Sequence, residues 1–293
     1  MRRPPPALVL VAHGTRSAKG VQMIAALAEA VGHELDRRPG TPETRCGHSG
    51  APGSAGRRAA APGYSNCGCT PEPTAGPAAD DCAANPAVRT AFVDVLGPSP
   101  AEVLRDLATR AVVAGDSVPA VVVPAFLASG YHVYQDVPRE VSDSGHPAVT
   151  VTAAMGPDPA LARIMAVRLR AAGWRPGDAV VFAAAGSSDA RARADVRRAA
   201  AMLTAQLATP VRTAYVATGA PRVPEVVARL REAGRERVFI ASYLLAHGLF
   251  HERLHQAGAT GAAEPIGVHP AVVRLIADRY RSAVRDADRQ RVR

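Results

Sequence analysis

Short apolar runs alternate along the chain with longer segments whose apolar residues recur every three or four positions. The first run extends from Leu8 to Ala12, and a helical pattern follows over about residues 19–35. Runs that stay apolar throughout, without polar residues between, indicate strands that are covered on both faces. Strands that alternate with amphipathic helices form parallel β-α-β units. The pattern therefore predicts an α/β protein with parallel sheet flanked by helices.

The chain contains this pattern twice. Residues 88–107 (VRTAFVDVLGPSPAEVLRDL) align without gaps with residues 211–230 (VRTAYVATGAPRVPEVVARL). The alignment extends in both directions to matched glycines, Gly14 with Gly186 and Gly130 with Gly248. We therefore predict two tandem domains, at residues 1–150 and 151–293.

The first half is interrupted. Its first two predicted strands lie about 49 residues further apart than those of the second half. The extra segment, residues 38–87, contains no Val, Leu, Ile, Met, Phe or Trp, so it cannot bury enough apolar surface to fold and is predicted to be disordered. It contains all four cysteines: Cys46, Cys67, Cys69 and Cys82. Four thiolates can hold an iron–sulfur cluster or a zinc ion, and the alternative is a solvated loop with reduced thiols.

Composition and charge narrow the functional classes. The formal net charge is +9, almost all of it from arginine, which suits an acidic partner such as a polycarboxylate small molecule. Aromatic residues make up only 4% of the chain and no basic run is interleaved with them, so nucleic acid is not the expected partner. No apolar run approaches the roughly 20 residues of a membrane helix, and no signal peptide is recognised, so a cytoplasmic protein is expected. No glycine-rich phosphate loop is present, which disfavours nucleotide binding.

Three polar residues stand where predicted strands of the first half end. His13 ends the first strand, Asp94 ends the second, and His132 follows the third. Parallel sheets bind ligands beyond the carboxyl ends of their strands, so we expect these side chains to share one crevice. Two imidazoles and a carboxylate suit a divalent ion such as Fe²⁺, Co²⁺ or Ni²⁺. Because the aligned residues of the second half are inert (Ala185, Ala217 and Phe250), the sequence predicts a single site, in the first half.

The motifs LVLVAHGTR, FVDVLGPSPAEVL and PAFLASGYHVYQDVP, together with SYLLAHGLFHERL in the second half, resemble the sirohydrochlorin chelatases, in their two-domain form. The resemblance implies two chelatase-like domains that face each other across a cleft. It also implies an enzyme, a lyase, that inserts Fe²⁺ or Co²⁺ into sirohydrochlorin without ATP, in siroheme or cobalamin biosynthesis. His13 and His132 match the histidines that bind metal and accept protons, and Asp94 falls where the family carries an acidic residue.

Further residues follow from the same resemblance. Gly14, Arg16 and Tyr131 are predicted to bind the substrate, whose carboxylates suit an arginine. Because two fused halves already form a cleft, a monomer is expected. The alternative function is a module that binds or delivers Ni, Co or Fe without catalysis.

A second histidine pattern lies in HGLFHERLH, where His247, His251 and His255 are four residues apart. On a helix these side chains share one face, which is a spacing found in metal sites. We predict an accessory metal site at His247 and His251 that supplies metal to His13 and His132. The alternative is an exposed helix near the cleft.

Overall fold

The computed structural model describes residues 4–37, 86–94, 96–114 and 118–291. Residues 38–85 of the segment predicted to be disordered, which include Cys46, Cys67, Cys69 and Cys82, lie outside the described residues, so the disorder and the iron–sulfur cluster stay predictions there. The last two residues of that segment are described, and the carbonyl of Ala87 accepts a hydrogen bond from the Leu8 N–H. The strands are β1 (Ala7–His13), β2 (Val88–Val93), β3 (Ala120–Pro124), β4 (Val149–Val151), β5 (Ala179–Gly186), β6 (Val211–Thr218), β7 (Val238–Tyr243) and β8 (Gly261–Ala262). The helices are α1 (Ala18–Asp36), α2 (Pro100–Ala114), α3 (Val137–Ser144), α4 (Pro159–Ala171), α5 (Ala190–Leu207), α6 (Val223–Glu232), α7 (Leu249–His255) and α8 (Pro270–Arg291).

The strands form two four-stranded parallel sheets with the same topology. Their orders are β2-β1-β3-β4 and β6-β5-β7-β8, so the first strand of each half lies between the second and the third. Strand order reverses beside β1, and the crevice at such a reversal is where open α/β sheets bind ligands. The predicted fold class, two parallel sheets flanked by helices in tandem halves, is confirmed.

Each sheet is apolar on both faces because its strands carry apolar residues at successive positions. In β1, Val9 and Val11 face a core that includes residues of α2, whereas Leu8 and Leu10 face the core formed with α1. The second core continues into the other half of the chain, where it includes Phe182 of β5. One hydrophobic core thus lies between the two sheets, and a smaller core covers the outer face of each.

The last helix of the chain packs on the first half. Helix α8 contacts α1 and β3, whereas α4 contacts α5 and β7 of the second half. Hydrogen bonds accompany this packing: the hydroxyl of Tyr280 donates to the carbonyl of Pro6, and the guanidinium of Arg281 donates to the carbonyl of Glu34 in α1. The boundary at residue 150 stays a prediction, since both halves contribute to the same core.

Two equivalent loops at the carboxyl edges of the sheets each pack against the other half. A Cβ on Gly130, after β3, would lie 3.1 Å from Cβ of Ala192 at the start of α5. The repeat-equivalent Gly248, after β7, lies against Thr15, and a Cβ there would be 2.9 Å from its hydroxyl. The loop after the third strand of each half therefore packs on the other half. Replacing either glycine with a larger residue would force the loop away from the side chain it contacts.

Among the described residues, none of the helices is both long enough and apolar enough to cross a membrane.

Candidate metal centre

The carboxyl edge of the first sheet brings together His13, Asp94 and His132. His13 is the last residue of β1, Asp94 directly follows β2, and His132 begins a π-helical turn after β3. Asp94 Oδ2 lies 3.4 Å from His13 Nδ1 and 3.7 Å from His132 Nε2. Ligand atoms of a tetrahedral ion with bonds of about 2.1 Å are about 3.4 Å apart, so this spacing fits an ion held by all three side chains.

The backbone of Asp94 turns the carboxylate toward the histidines. Its φ of 75° is in the left-handed region, which few residues other than glycine adopt but which aspartate tolerates. The hydrogen bond with His13 holds the pKa of the Asp94 carboxyl below its ordinary value of 3.8, and the nearby His132 acts in the same direction, against partial burial. The carboxylate is therefore ionised at neutral pH and available as an anionic ligand.

Asp136 orients His132. The π-helical turn His132–Asp136 places Asp136 Oδ2 2.6 Å from His132 Nδ1, and the Asp136 side chain is only 13% exposed. A carboxylate at this distance accepts the Nδ1 proton, so the Nε2 lone pair is left to face Asp94 and a metal. The sequence analysis missed Asp136, although its spacing of four residues from His132 is a detectable signal.

The second half of the chain holds the loop that carries His132. The hydroxyl of Tyr243 in β7 donates to the carbonyl of Leu127 at 2.7 Å. The backbone N–H of Ser129 donates to the buried carboxylate of Asp195 in α5 at 2.8 Å, and Arg198 also pairs with Asp195. These contacts between halves fix the approach to His132, and the sequence analysis assigned no function to Tyr243 or Asp195.

The site is open to solvent on one side. The His13 and Asp94 side chains are 54% and 48% exposed, so a ligand can reach the ion position directly. Beneath them, the Phe126 ring contacts the His13 ring edge-on, with centroids 4.7 Å apart. Tyr131 lies beside the site and is 57% exposed, and the guanidinium of Arg191 from the second half lies 4.1 Å from the centroid of the Tyr134 ring.

The predicted substrate-binding residues have different environments. A Cβ on Gly14 would lie 2.9 Å from the backbone nitrogen of Leu96, so glycine is needed for the turn after β1 to approach the loop after β2. This packing keeps His13 next to Asp94. Arg16 is exposed on the same loop as Gly14, and Tyr131 is exposed beside His132. Their contacts with a substrate stay predictions.

A second cluster of metal-binding residue types lies in the other half. One ligand atom from each of His247, His251 and Glu264 lies within 4.8 Å of the other two. His247 precedes α7, so it does not share a helix with His251, and the third member is Glu264 instead of His255. The interpretation of this segment as an exposed helix is wrong for His251, which is only 3% exposed.

Burial sets the protonation of this second cluster. Desolvation lowers the pKa of both His247 and His251 below 6.5, and the positive charge of Lys19 adds to the effect. Both imidazoles are therefore neutral at neutral pH.

Several solved structures share the fold of this chain. SirB from Bacillus subtilis with Fe³⁺ aligns over 98% of this chain and 98% of its own, with a TM-score of 0.68 and 19% identity. The sirohydrochlorin chelatase SirB from Bacillus subtilis subspecies spizizenii, in complex with cobalt, aligns over the same shares with a TM-score of 0.66 and 19% identity. CbiX, the terminal enzyme for siroheme biosynthesis in denitrifying bacteria, covers 94% of this chain and 99% of its own, with a TM-score of 0.57 and 21% identity. At these identities the similarity establishes the fold.

A search of curated protein sequences gives no match. The family model CbiX matches the chain twice, over residues 78–172 and 179–283. The first match extends through α4 and the second from β5 into α8. Together they cover more than half of the chain, so the resemblance found in the sequence is confirmed. The chain belongs to the CbiX family.

Proposed function

We propose that this protein inserts a divalent metal ion, Fe²⁺ or Co²⁺, into sirohydrochlorin without ATP, at the centre formed by His13, Asp94 and His132. One observation carries the proposal: two imidazoles and an ionised carboxylate converge on one exposed point at the carboxyl edge of the first sheet. The family membership and the fold shared with SirB and CbiX support the same reaction.

The donor set suits an ion that must be released. Two imidazoles and one carboxylate bind Fe²⁺ and Co²⁺ well enough to strip part of their hydration shell, and they leave coordination positions free for incoming nitrogens. Thiolates would hold these ions more tightly, and the three residues that form this cluster include no cysteine. The exposed side of the site is where the tetrapyrrole would approach.

Proton balance follows from the same two imidazoles. Insertion replaces two pyrrole N–H protons with one divalent cation, so two protons must leave the macrocycle. As the ion passes to the pyrrole nitrogens, His13 and His132 each regain a lone pair that can accept one of these protons. Asp136 supports this function in His132 because it keeps the Nδ1 proton in place and directs Nε2 to the metal side.

The surroundings suit a polycarboxylate macrocycle. Arg16 is exposed three residues after His13, and the exposed ring of Tyr131 lies beside His132. Arg191 belongs to the second half, and its guanidinium stacks on the ring of Tyr134 in the first half. A carboxylate-rich ligand with flat apolar faces would contact both kinds of side chain.

The experiment is metallation of sirohydrochlorin by the purified protein. Incubation with Co²⁺, and with Fe²⁺ under anaerobic conditions, should change the visible spectrum to that of the metallated product faster than the reaction without protein. His13→Ala should lose most of the rate because it removes a ligand and a proton acceptor. His33→Ala is the matched control, since His33 is an exposed histidine in α1 that pairs with Glu29 of the same helix.

Each outcome is decisive. A His13→Ala rate equal to that of the wild type would refute the assignment. Co²⁺ binding without any acceleration of insertion would favour a module that binds or delivers metal. With both ions supplied anaerobically, the identity of the metallated product gives the preferred metal; the fold neighbours were solved with Fe³⁺ in one case and cobalt in another.

Two further predictions belong to the proposal. The protein is expected to be cytoplasmic. It is also expected to be a monomer, since both halves that surround the site come from one chain. Light scattering of the purified protein tests the oligomeric state.

A further inference from the structure

The cluster of His247, His251 and Glu264 is built as a metal site. His247 Nε2 lies 3.2 Å from Glu264 Oε2, and the rings of His247 and His251 meet edge-on with centroids 5.0 Å apart. All three residues have a ligand atom within 4.8 Å of the others. The donor set therefore equals that of the first site, two imidazoles and one carboxylate, although none of its residues is aligned with that site in the repeat.

The backbone prepares His251 for this function. Its Nε2 is 3.1 Å from the carbonyl of Ala263, which can only accept, so Nε2 carries the proton. The lone pair is therefore on Nδ1, the atom left to bind an ion. Histidines that bind metals commonly donate their other N–H to a backbone carbonyl, which fixes the tautomer and the ring orientation.

The two clusters differ most in access to solvent. His251 is 3% exposed and the His247 side chain 12%, whereas those of His13 and His132 are 54% and 31% exposed. At the second cluster only the Glu264 side chain is open, at 55% exposure. A macrocycle can reach the first site but not the second, so the second suits an ion that stays bound.

The position of His247 suggests what such an ion would stabilise. The carbonyl of His247 lies directly over Gly20 in α1, where any Cβ would collide with it. The next residue, Gly248, contacts Thr15, two residues after His13. The loop that carries His247 is therefore part of the contact that holds the start of α1 and the loop after β1.

From this arrangement we infer that His247, His251 and Glu264 form a second divalent metal site, which holds a resident first-row transition ion and stabilises the contact between the halves. The ion at this site is not the one inserted into the substrate. The inference stands on this cluster alone and does not depend on the chelatase reaction.

The test measures Co²⁺ binding in a background without the first site. In His13→Ala/His132→Ala protein, equilibrium dialysis and the visible bands of Co²⁺ report the remaining sites. Because the four cysteines can also bind Co²⁺, stoichiometries are compared between variants. Adding Glu264→Gln, a substitution of an exposed side chain, should weaken the binding of one Co²⁺ by about tenfold or more. Adding His251→Ala should lower the number of bound Co²⁺ ions by one. Adding His255→Ala is the control, since His255 is exposed and outside the cluster.

Thermal unfolding gives a readout that no chelatase activity enters. Co²⁺ should raise the Tm of the His13→Ala/His132→Ala protein, and the rise should disappear with Glu264→Gln and persist with His255→Ala. If His251→Ala does not fold, as judged by circular dichroism, Glu264→Gln decides. Co²⁺ isotherms and Tm shifts that Glu264→Gln leaves unchanged would overturn the inference, whether or not the protein metallates sirohydrochlorin.

Discussion

Replacing Asp136 with asparagine isolates the orientation of one metal-binding imidazole. The wild-type carboxylate lies 2.6 Å from His132 Nδ1 and is largely buried, so it fixes the proton on Nδ1. In the Asp136→Asn variant, the amide is uncharged and can turn its NH₂ group toward Nδ1. That would move the proton to Nε2 and occupy the lone pair that the metal needs.

The size of the effect follows from comparable metal sites. Loss of a carboxylate that supports a metal-binding histidine costs about 10–100-fold in affinity or activity, or about 1.4–2.7 kcal/mol. Asp136 also forms an ion pair with Arg139 at 3.3 Å, but the Arg139 side chain is 62% exposed, so this pair adds little. We therefore expect Asp136→Asn to weaken Co²⁺ binding at the first site and to lower kcat, each by about one to two orders of magnitude.

The assay combines Co²⁺ titration with the initial rate of sirohydrochlorin metallation. Asp143→Asn is the matched control, because Asp143 lies in α3 and is exposed, and the substitution removes the same charge. Asp136→Asn and Asp143→Asn should unfold at similar denaturant concentrations, so that the difference reports on the site. If Asp136→Asn has wild-type kcat and Co²⁺ affinity, then Asp136 does not control the His132 tautomer and the reasoning fails.

Two other residues give independent predictions. Asp195→Ala removes the acceptor of the Ser129 N–H, so it should lower the free energy of unfolding by about 2 kcal/mol, as measured by urea unfolding. It should also reduce kcat in the metallation assay. An unchanged kcat together with that loss of stability would show that the second half does not position the loop. Burial lowers the pKa of His146 below its ordinary 6.5, so its protonation favours the unfolded state. The free energy of unfolding should therefore fall as the pH drops below 6.5, and His146→Asn should reduce this fall between pH 7.5 and 5.5. An identical pH dependence in the wild type and the variant would contradict this prediction.

The repeat and the site on one half could be predicted because both are written in local patterns. The strand that ends at His13 is apolar up to that residue, and its counterpart has Ala185 at the same distance from the aligned glycine. Since the carboxyl ends of parallel strands meet at one edge, the positions of His13, Asp94 and His132 in sequence were enough to predict that they converge.

The supporting residues could not be predicted in the same way because their contacts join distant segments. Asp195 bonds to a backbone N–H 66 residues away, and Tyr243 to a carbonyl 116 residues away. Glu264 joins His247 only because β8 lies beside β7. No local spacing encodes these contacts, which arise from the packing of the two halves on a common core.

The central claim is that one half of a duplicated scaffold performs the chemistry while the other positions it. His132 and Phe250 occupy equivalent places in the repeat, and the comparison of His132→Ala with Phe250→Ala therefore tests the claim most directly. The account predicts that His132→Ala lowers the kcat of sirohydrochlorin metallation by about 100-fold or more, whereas Phe250→Ala changes it by less than about tenfold. Equal losses of kcat in the two variants, or no loss in His132→Ala, would contradict it.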